Sequence, residues 1–278
     1  MFCITISKIV KDNFAIGINI IYAIWKKKYD TYRCRTNRYG DSRRMGYGMK
    51  IVVGDKRMEN AQSMADTMNR AGFDVLPVEM DLSSRESILH LIDTAQQYGE
   101  IAMLVNAAGV SPSQASIETI LKVDLYGTAV LLEEVGKVIM WGGTGVTISS
   151  QSGHRLPALG AETDELLACT PTERLLDLEV LQPQHINDTL HAYQLAKRCN
   201  VKRVMSEAVK WGRRGARINS ISPGIIVTPL ALDEFNGVRG EFYKKMFAQC
   251  PAHRPGTADE VANVAELLMS NREPLYRS

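Results

Sequence analysis

Lys50-Ile51-Val52-Val53-Gly54-Asp55, the helical stretch Met58–Ala71 with Gly72 behind it, and the apolar run Asp74–Glu79 together decide the fold. The first run is a short strand ending at Gly-Asp. Gly72 stands where a left-handed cap ends a helix, and Asp74–Glu79 reads as the next strand. Beyond it, Ser83 and Glu86 form the Ser-x-x-Glu capping box of a helix whose apolar face is Ile88, Leu91, Ile92 and Ala95. The alternation continues with a strand over Ile101–Val105, a long helix over Ile117–Val138 and a strand over Gly145–Ser149. A helix around His191–Trp211, a strand over Arg217–Ser222 and a helix over Asp259–Met269 complete it. Repeated strand–helix units of this spacing predict an α/β fold: one doubly wound parallel sheet over residues 49–278, with helices on both faces.

Composition narrows the function. The chain has 278 residues, 45% hydrophobic and 23% charged, enough for a substantial core and too apolar for disorder. A net charge of +2 gives no general reason to expect a nucleic-acid partner. Five cysteines are widely spaced without a Cys-x-x-Cys pair. They predict neither a disulfide framework nor a metal site, and point to a reducing, cytoplasmic compartment. The average hides a split: residues 1–50 hold 11 Lys/Arg against 3 Asp/Glu, a net of +8, leaving −6 for the remainder. This basic head carries an uncharged apolar run, Asn13–Trp25, followed by Lys26, Lys27 and Lys28. The run falls short of the roughly 20 residues a spanning helix needs, and no Ala-x-Ala-like cleavage site follows it. The expectation is an extension over residues 1–48 outside the fold, with an interfacial membrane anchor as the disfavoured alternative.

In doubly wound sheets ligands bind beyond the carboxyl ends of the strands. That rule selects Asp55, Asp81-Leu82, Asn106 to Gly109, Ser149-Ser150 and Ser222 to Thr228. Tyr193 and Lys197, four apart on one helix, share a face. A neighbouring ammonium stabilises a phenolate, so such a tyrosine can exchange a proton with a hydroxyl or carbonyl oxygen.

The ordered set Asn106-Ala107-Ala108-Gly109, Ser149-Ser150, Tyr193-x-x-x-Lys197, Pro223-Gly224 and Thr228 resembles the short-chain dehydrogenase/reductase family, over about Lys50 to Ser270. The resemblance implies a Rossmann-like fold, usually oligomeric, that moves a hydride between a nicotinamide and a secondary alcohol or ketone. It implies that Tyr193 is the general acid/base and that Lys197 lowers its pKa and binds the nicotinamide ribose. Ser150 would bond the substrate oxygen, with Ser149 as a strand-end hydroxyl facing the other way. Asn106, Ala107, Gly109, Pro223 and Gly224 would line the cofactor, and Thr228 would hold its carboxamide. Asp81 and Leu82 would meet the adenine, unless Asp81 only starts the helix beside Ser83. Asp55 would accept the adenosine ribose hydroxyls, which favours NAD. Lys56 and Arg57 keep NADP as the alternative.

Three departures stand out. Ser150 and Tyr193 lie 43 positions apart, where many members have about a dozen. The stretch at about 154–188 reads as a helical insertion, at the substrate mouth or against another subunit. The family's fourth catalytic residue, an asparagine, is Asp124 here, which could still hold a water. Finally, the first strand's glycine turn and the last strand are missing. Tyr32 to Asp41 stand where Thr-Gly-x-x-x-Gly glycines belong. A catalytically silent binding or oligomer subunit is the competing function. One codon string for Tyr32–Asp41, read one nucleotide out of frame, spells Thr-Gly-Ala-Gly-Gln-Ile-Gly, a glycine turn. This suggests that the ends of the chain are frame-shifted relative to a functional ancestor; the coding DNA upstream of Met45 is expected to contain those glycines in its shifted frame, and a string without them overturns that hypothesis.

Overall fold

A computed structural model of the chain describes the backbone of residues 19–24 and residues 49–227, 235–237 and 240–270. Thr228 and the stretch Tyr32–Asp41 lie outside these described residues. The strands are β1 (Asn19–Ile24), β2 (Lys50–Asp55), β3 (Asp74–Glu79), β4 (Glu100–Asn106), β5 (Ile139–Ile148) and β6 (Arg217–Ile221). They form one sheet in the order β3-β2-β1-β4-β5-β6. β2 with β3, β4 with β5 and β5 with β6 are parallel. The helices are α1 (Met58–Arg70), α2 (Arg85–Gln96), α3 (Ile117–Ile120), α4 (Thr128–Val138), α5 (Gln151–His154), α6 (Ala161–Cys169), α7 (Thr189–Arg213), α8 (Gly240–Ala248) and α9 (Ala258–Met269).

Alternation along the strands divides the core. Val52, Leu104 and Ile218 face Leu91, Leu131, Val135 and Trp211 on one side of the sheet. Ile51, Val53, Val105 and Val146 face Met64, Ala65, Val261 and Ala265 on the other. That period-2 split is what a two-sided α/β sheet requires of its strands. Gly72 has φ +93°, the left-handed cap its position predicts.

Two local expectations are corrected. The capping residue of α2 is Ser84, which accepts the Ser87 amide, rather than Ser83. Ser83 instead donates through both its amide and its hydroxyl to Asp81, because a carboxylate two residues upstream offers a tighter turn. The complete capping box lies elsewhere, at Thr257 and Glu260 of α9. The long helix over Ile117–Val138 is also not uniform: Leu121–Gly127 between α3 and α4 is wound as a π-helix.

The head contributes more than an extension. Among the described residues, the strand at the centre of the sheet is not parallel to its neighbours. β1, cut from the apolar run Asn13–Trp25, lies between β2 and β4 and pairs antiparallel to both. Two facing rows of strand amides and carbonyls need partners when buried, and a reversed strand satisfies them as a parallel one does. Direction then matters: Asn19 pairs with Gly54 and Asn106, while Ala23 pairs with Lys50 and Ile24 with Glu100. β1 therefore runs from the carboxyl ends of β2 and β4 toward their amino ends.

The insertion folds as α6 and three short 3-10 turns, Thr172–Asp177, Glu179–Leu181 and Pro183–His185. Leu167, Leu175, Leu181 and Ile186 pack against Ile120, Leu125 and Ala129 of the kinked helix and Leu195, Ala196 and Cys199 of α7. It thus covers the outer flank of both helices, and Tyr193 and Val110 pack at the margin of the same cluster. Arg203, buried in α7, donates to the carbonyls of Ala168 and Thr170, which end α6, and to the Thr172 hydroxyl. Burial among these groups pushes the Cys199 thiol up to about 12.

The kinked helix crosses the chain after β3 closely: a Cβ at Gly127 would sit 2.1 Å from the Leu82 carbonyl oxygen. Gly127→Ala must move backbone rather than a side chain. It is expected to destabilise the protein by about 2–3 kcal/mol, read as a lower urea midpoint; an unchanged midpoint contradicts this packing.

Candidate active site

The site lies at the carboxyl edge of the parallel strands, where β4, β5 and β6 end side by side and β2 ends across β1 from them. Its centre is Lys197, one turn along α7 from Tyr193. α7 begins at Asp188, whose side chain accepts the His191 amide and fixes the helix start just before Tyr193. The Lys197 ammonium is 5% exposed and 5.4 Å from the centre of the Tyr193 ring.

Asp124 faces it. Its carboxylate, fully buried on the π-helical turn, lies 3.6 Å from the Lys197 ammonium through Oδ2 and accepts the Val110 amide through Oδ1 at 2.8 Å. Burial pushes the Asp124 carboxyl up, against the opposing pull of Lys197 and the Val110 amide. Burial alone would lower the Lys197 pKa, but the charges of Asp124 and Tyr193 outweigh it and hold the ammonium above the ordinary lysine value. Gly109 makes the approach feasible, since a Cβ there would lie 3.0 Å from Asp124 Oδ1 and 3.3 Å from Lys197 Nζ.

The serine pair divides as the alternation of strand ends predicts. Ser149, buried, donates to the Lys197 carbonyl at 2.7 Å and ties β5 to α7. Ser150 caps α5, accepting the Ser152 amide at 3.1 Å. Gly153, which sequence reasoning passed over, lets this turn abut α7: a Cβ there would lie 2.6 Å from the Arg198 amide nitrogen. The only signal for it was a glycine shortly after the serines. Pro223 accepts the Gln151 amide at 2.9 Å, and Gly224 lies beside the Gln151 side chain, joining the ends of β5 and β6.

Asn106, 1% exposed, donates to Thr128, while its Oδ1 has no hydrogen-bond partner. Ala107 is half-buried and packs on the core. Asp55, 4% exposed, accepts the Arg57 amide at 2.7 Å and the Asn60 side chain at 3.2 Å; burial raises its carboxyl pKa despite these bonds. Lys56 pairs with Asp81 at 2.7 Å. The Leu82 side chain is in the core, so a ligand there meets backbone. Beyond the strand ends, Gln151, Ile225 and Ile226 face Met246, Phe247 and Cys250 across a cavity of about 290 Å3.

A nicotinamide dinucleotide is the group such an edge would hold. At the nicotinamide end the residues fit: an orphaned buried carbonyl on Asn106, Gly109 without a side chain, and Lys197 within reach of the same loop. At the pyrophosphate the fit fails for β1, which runs antiparallel to β2 and β4 and so ends at Ile24 beside Glu100 rather than at the ligand edge. Among the described residues no helix is long and apolar enough to cross a membrane, and no cluster of three or more His, Cys, Asp or Glu is arranged to hold a metal ion.

Comparison with known proteins agrees with this geometry. Residues 42–161 match the short chain dehydrogenase family, and residues 167–276 match the family described as enoyl-(acyl carrier protein) reductase. A short-chain dehydrogenase/reductase of Alternaria brassicicola is 36% identical over 83% of this chain and 84% of its own length. The 7alpha-hydroxysteroid dehydrogenase of Bacteroides fragilis is 28% identical over 80% of this chain and 78% of its own. Among solved structures, the 3-alpha-hydroxysteroid dehydrogenase from Pseudomonas complexed with NADH superposes with a TM-score of 0.62. It is 21% identical and covers 78% of this chain and 87% of its own, a likeness of fold. The buried Lys197 beside Tyr193, the strand ends around them and a relative sharing a third of its residues lead to one assignment: this chain belongs to the short-chain dehydrogenase/reductase family.

Proposed function

We propose that the protein is an NAD-preferring oxidoreductase that moves a hydride between nicotinamide and a secondary alcohol or ketone. The observation that carries this reading is the buried ammonium of Lys197 under the Tyr193 ring, at the edge where the strands end. The bound nicotinamide supplies the hydride. The chain's own residues handle the proton: Tyr193 gives it to, or takes it from, the substrate oxygen, and the Ser150 hydroxyl holds that oxygen in place. Asn106 and Gly109 line the nicotinamide side, with Ala107, Pro223 and Gly224 completing the wall, and the family resemblance assigns the carboxamide to Thr228. Asp55 takes the adenosine ribose, and Asp81 with the Leu82 backbone flanks the adenine.

Preference for NAD rests on Asp55 at the end of β2 and on Lys56, whose charge is already matched by Asp81. The cavity between Ile225, Ile226, Met246 and Phe247 favours a small, mainly apolar alcohol or carbonyl compound. A second reading, a silent relative that binds without turnover, draws on the direction of β1. In either case the dinucleotide is held without a glycine turn directly after that strand. Cytoplasmic residence and association with further copies of the chain accord with this reading.

Two measurements test it. Across a panel of secondary alcohols and ketones, Tyr193→Phe is expected to lose about 10²–10⁴-fold in kcat; a mutant equal to the parent excludes catalysis by that tyrosine. Calorimetric titration with NAD is expected to show weak binding, and tight binding would mean that another segment cradles the pyrophosphate.

A further inference from the structure

The reaction as proposed needs a tyrosine and a lysine, but the structure adds a third charge to them. We propose that Asp124 is a positioning residue that sets the protonation of Tyr193: its buried carboxylate engages the Lys197 ammonium, so the phenol keeps its proton to higher pH than beside an unpaired lysine. The proposal rests on the reading of Tyr193 as the proton-transfer group. Its consequence is a site biased at neutral pH toward giving a proton, the direction of carbonyl reduction.

The geometry carries the argument. Asp124 is completely buried, so its field is little screened by water. Its Oδ2 has no hydrogen-bond partner and lies 3.6 Å from Lys197 Nζ, while Oδ1 has the Val110 amide. An ammonium that faces both a carboxylate and a phenol divides its stabilisation between them. The other charged groups around α7 are engaged away from this centre. Arg198 is bidentate to Asp164, at 2.7 and 2.6 Å, and Lys202 also pairs with Asp164. Arg203 serves the end of α6, His191 accepts the Asn187 amide, and His154 bonds Ser222. From the loop after β4 come Gly109 and Val110, and from the end of β5 come Ser149 and Ser150, none of them ionisable near neutral pH. Asp124 is thus the one negative charge among these groups that faces Lys197. Its position comes from the π-helical turn, a form of helix often found at functional sites.

The test reads the phenol directly. In protein carrying 13C-labelled tyrosine, the Tyr193 signal is assigned by its loss in Tyr193→Phe, and its pH titration is followed by NMR. Replacing the carboxylate by the isosteric amide, Asp124→Asn, is expected to lower the Tyr193 midpoint by about one to two pH units. That is the size of a unit charge roughly 6–8 Å away at an effective dielectric near 20. Where the enzyme turns over, the acid limb of its alcohol-oxidation profile moves down with it. An unchanged or raised midpoint in Asp124→Asn overturns the proposal. The unsubstituted protein supplies a measurement that no folding defect can obscure: its aspartate 13Cγ spectrum must show Asp124 ionised at neutral pH. A protonated Asp124 there overturns the proposal outright. Both readouts are independent of turnover. A chain that oxidises no alcohol sinks the oxidoreductase reading, while the Tyr193 midpoint still decides the role of Asp124.

Discussion

Lys197 is a cation almost sealed from water, and that burial constrains everything around it. An unpaired ammonium in a protein interior is so costly that it would shed its proton or force the fold open. The surrounding elements supply what water would have given. The kinked helix brings Asp124, the loop after β4 omits a side chain at Gly109, and the end of β5 anchors the Lys197 carbonyl through Ser149. Tyr193 then stands beside a charge whose strength is set by its surroundings. Four segments are thereby held to one geometry.

The second constraint is the centre of the sheet. With helices on both faces, the rows of amides and carbonyls on β2 and β4 cannot be left facing an empty slot. An apolar hexapeptide from the basic head occupies it. Backbone pairing is indifferent to strand direction at the level of satisfied hydrogen bonds, although antiparallel and parallel ladders differ in spacing. Ligand binding is not indifferent, because in parallel α/β sheets the segment after the first strand emerges at the ligand edge. Here the central strand is reversed, with Ile24 beside Glu100.

The insertion shows a related economy. Its leucines cover the outer flank of the kinked helix and α7, an apolar stripe that would otherwise need water or another chain. Arg203 and Cys199, both buried, join it to α7 through carbonyl contacts. The cavity of about 290 Å3 lies instead between the ends of β5 and β6 and α8. The cavity and the covering of the helix pair thus belong largely to different segments.

Much of this was legible in the residues. Short apolar runs such as Lys50–Asp55, a glycine at 72 and the four-residue spacing of Tyr193 and Lys197 are local patterns, readable from sequence alone. The strand ends could be ordered because βα units alternate with one handedness. What the chain alone left open depended on contacts distant in sequence. Whether Ser83 or Ser84 caps α2 was decided by competition from Asp81. The π-helical turn that aims Asp124 at Lys197 follows from packing of the kinked helix against α7 and the turn at Leu82. That Asn19–Ile24 enters the sheet, and enters it reversed, was decided by the unfilled hydrogen bonds of β2 and β4. An apolar run records that a segment wants burial, but only its neighbours in space determine where it goes and which way it points.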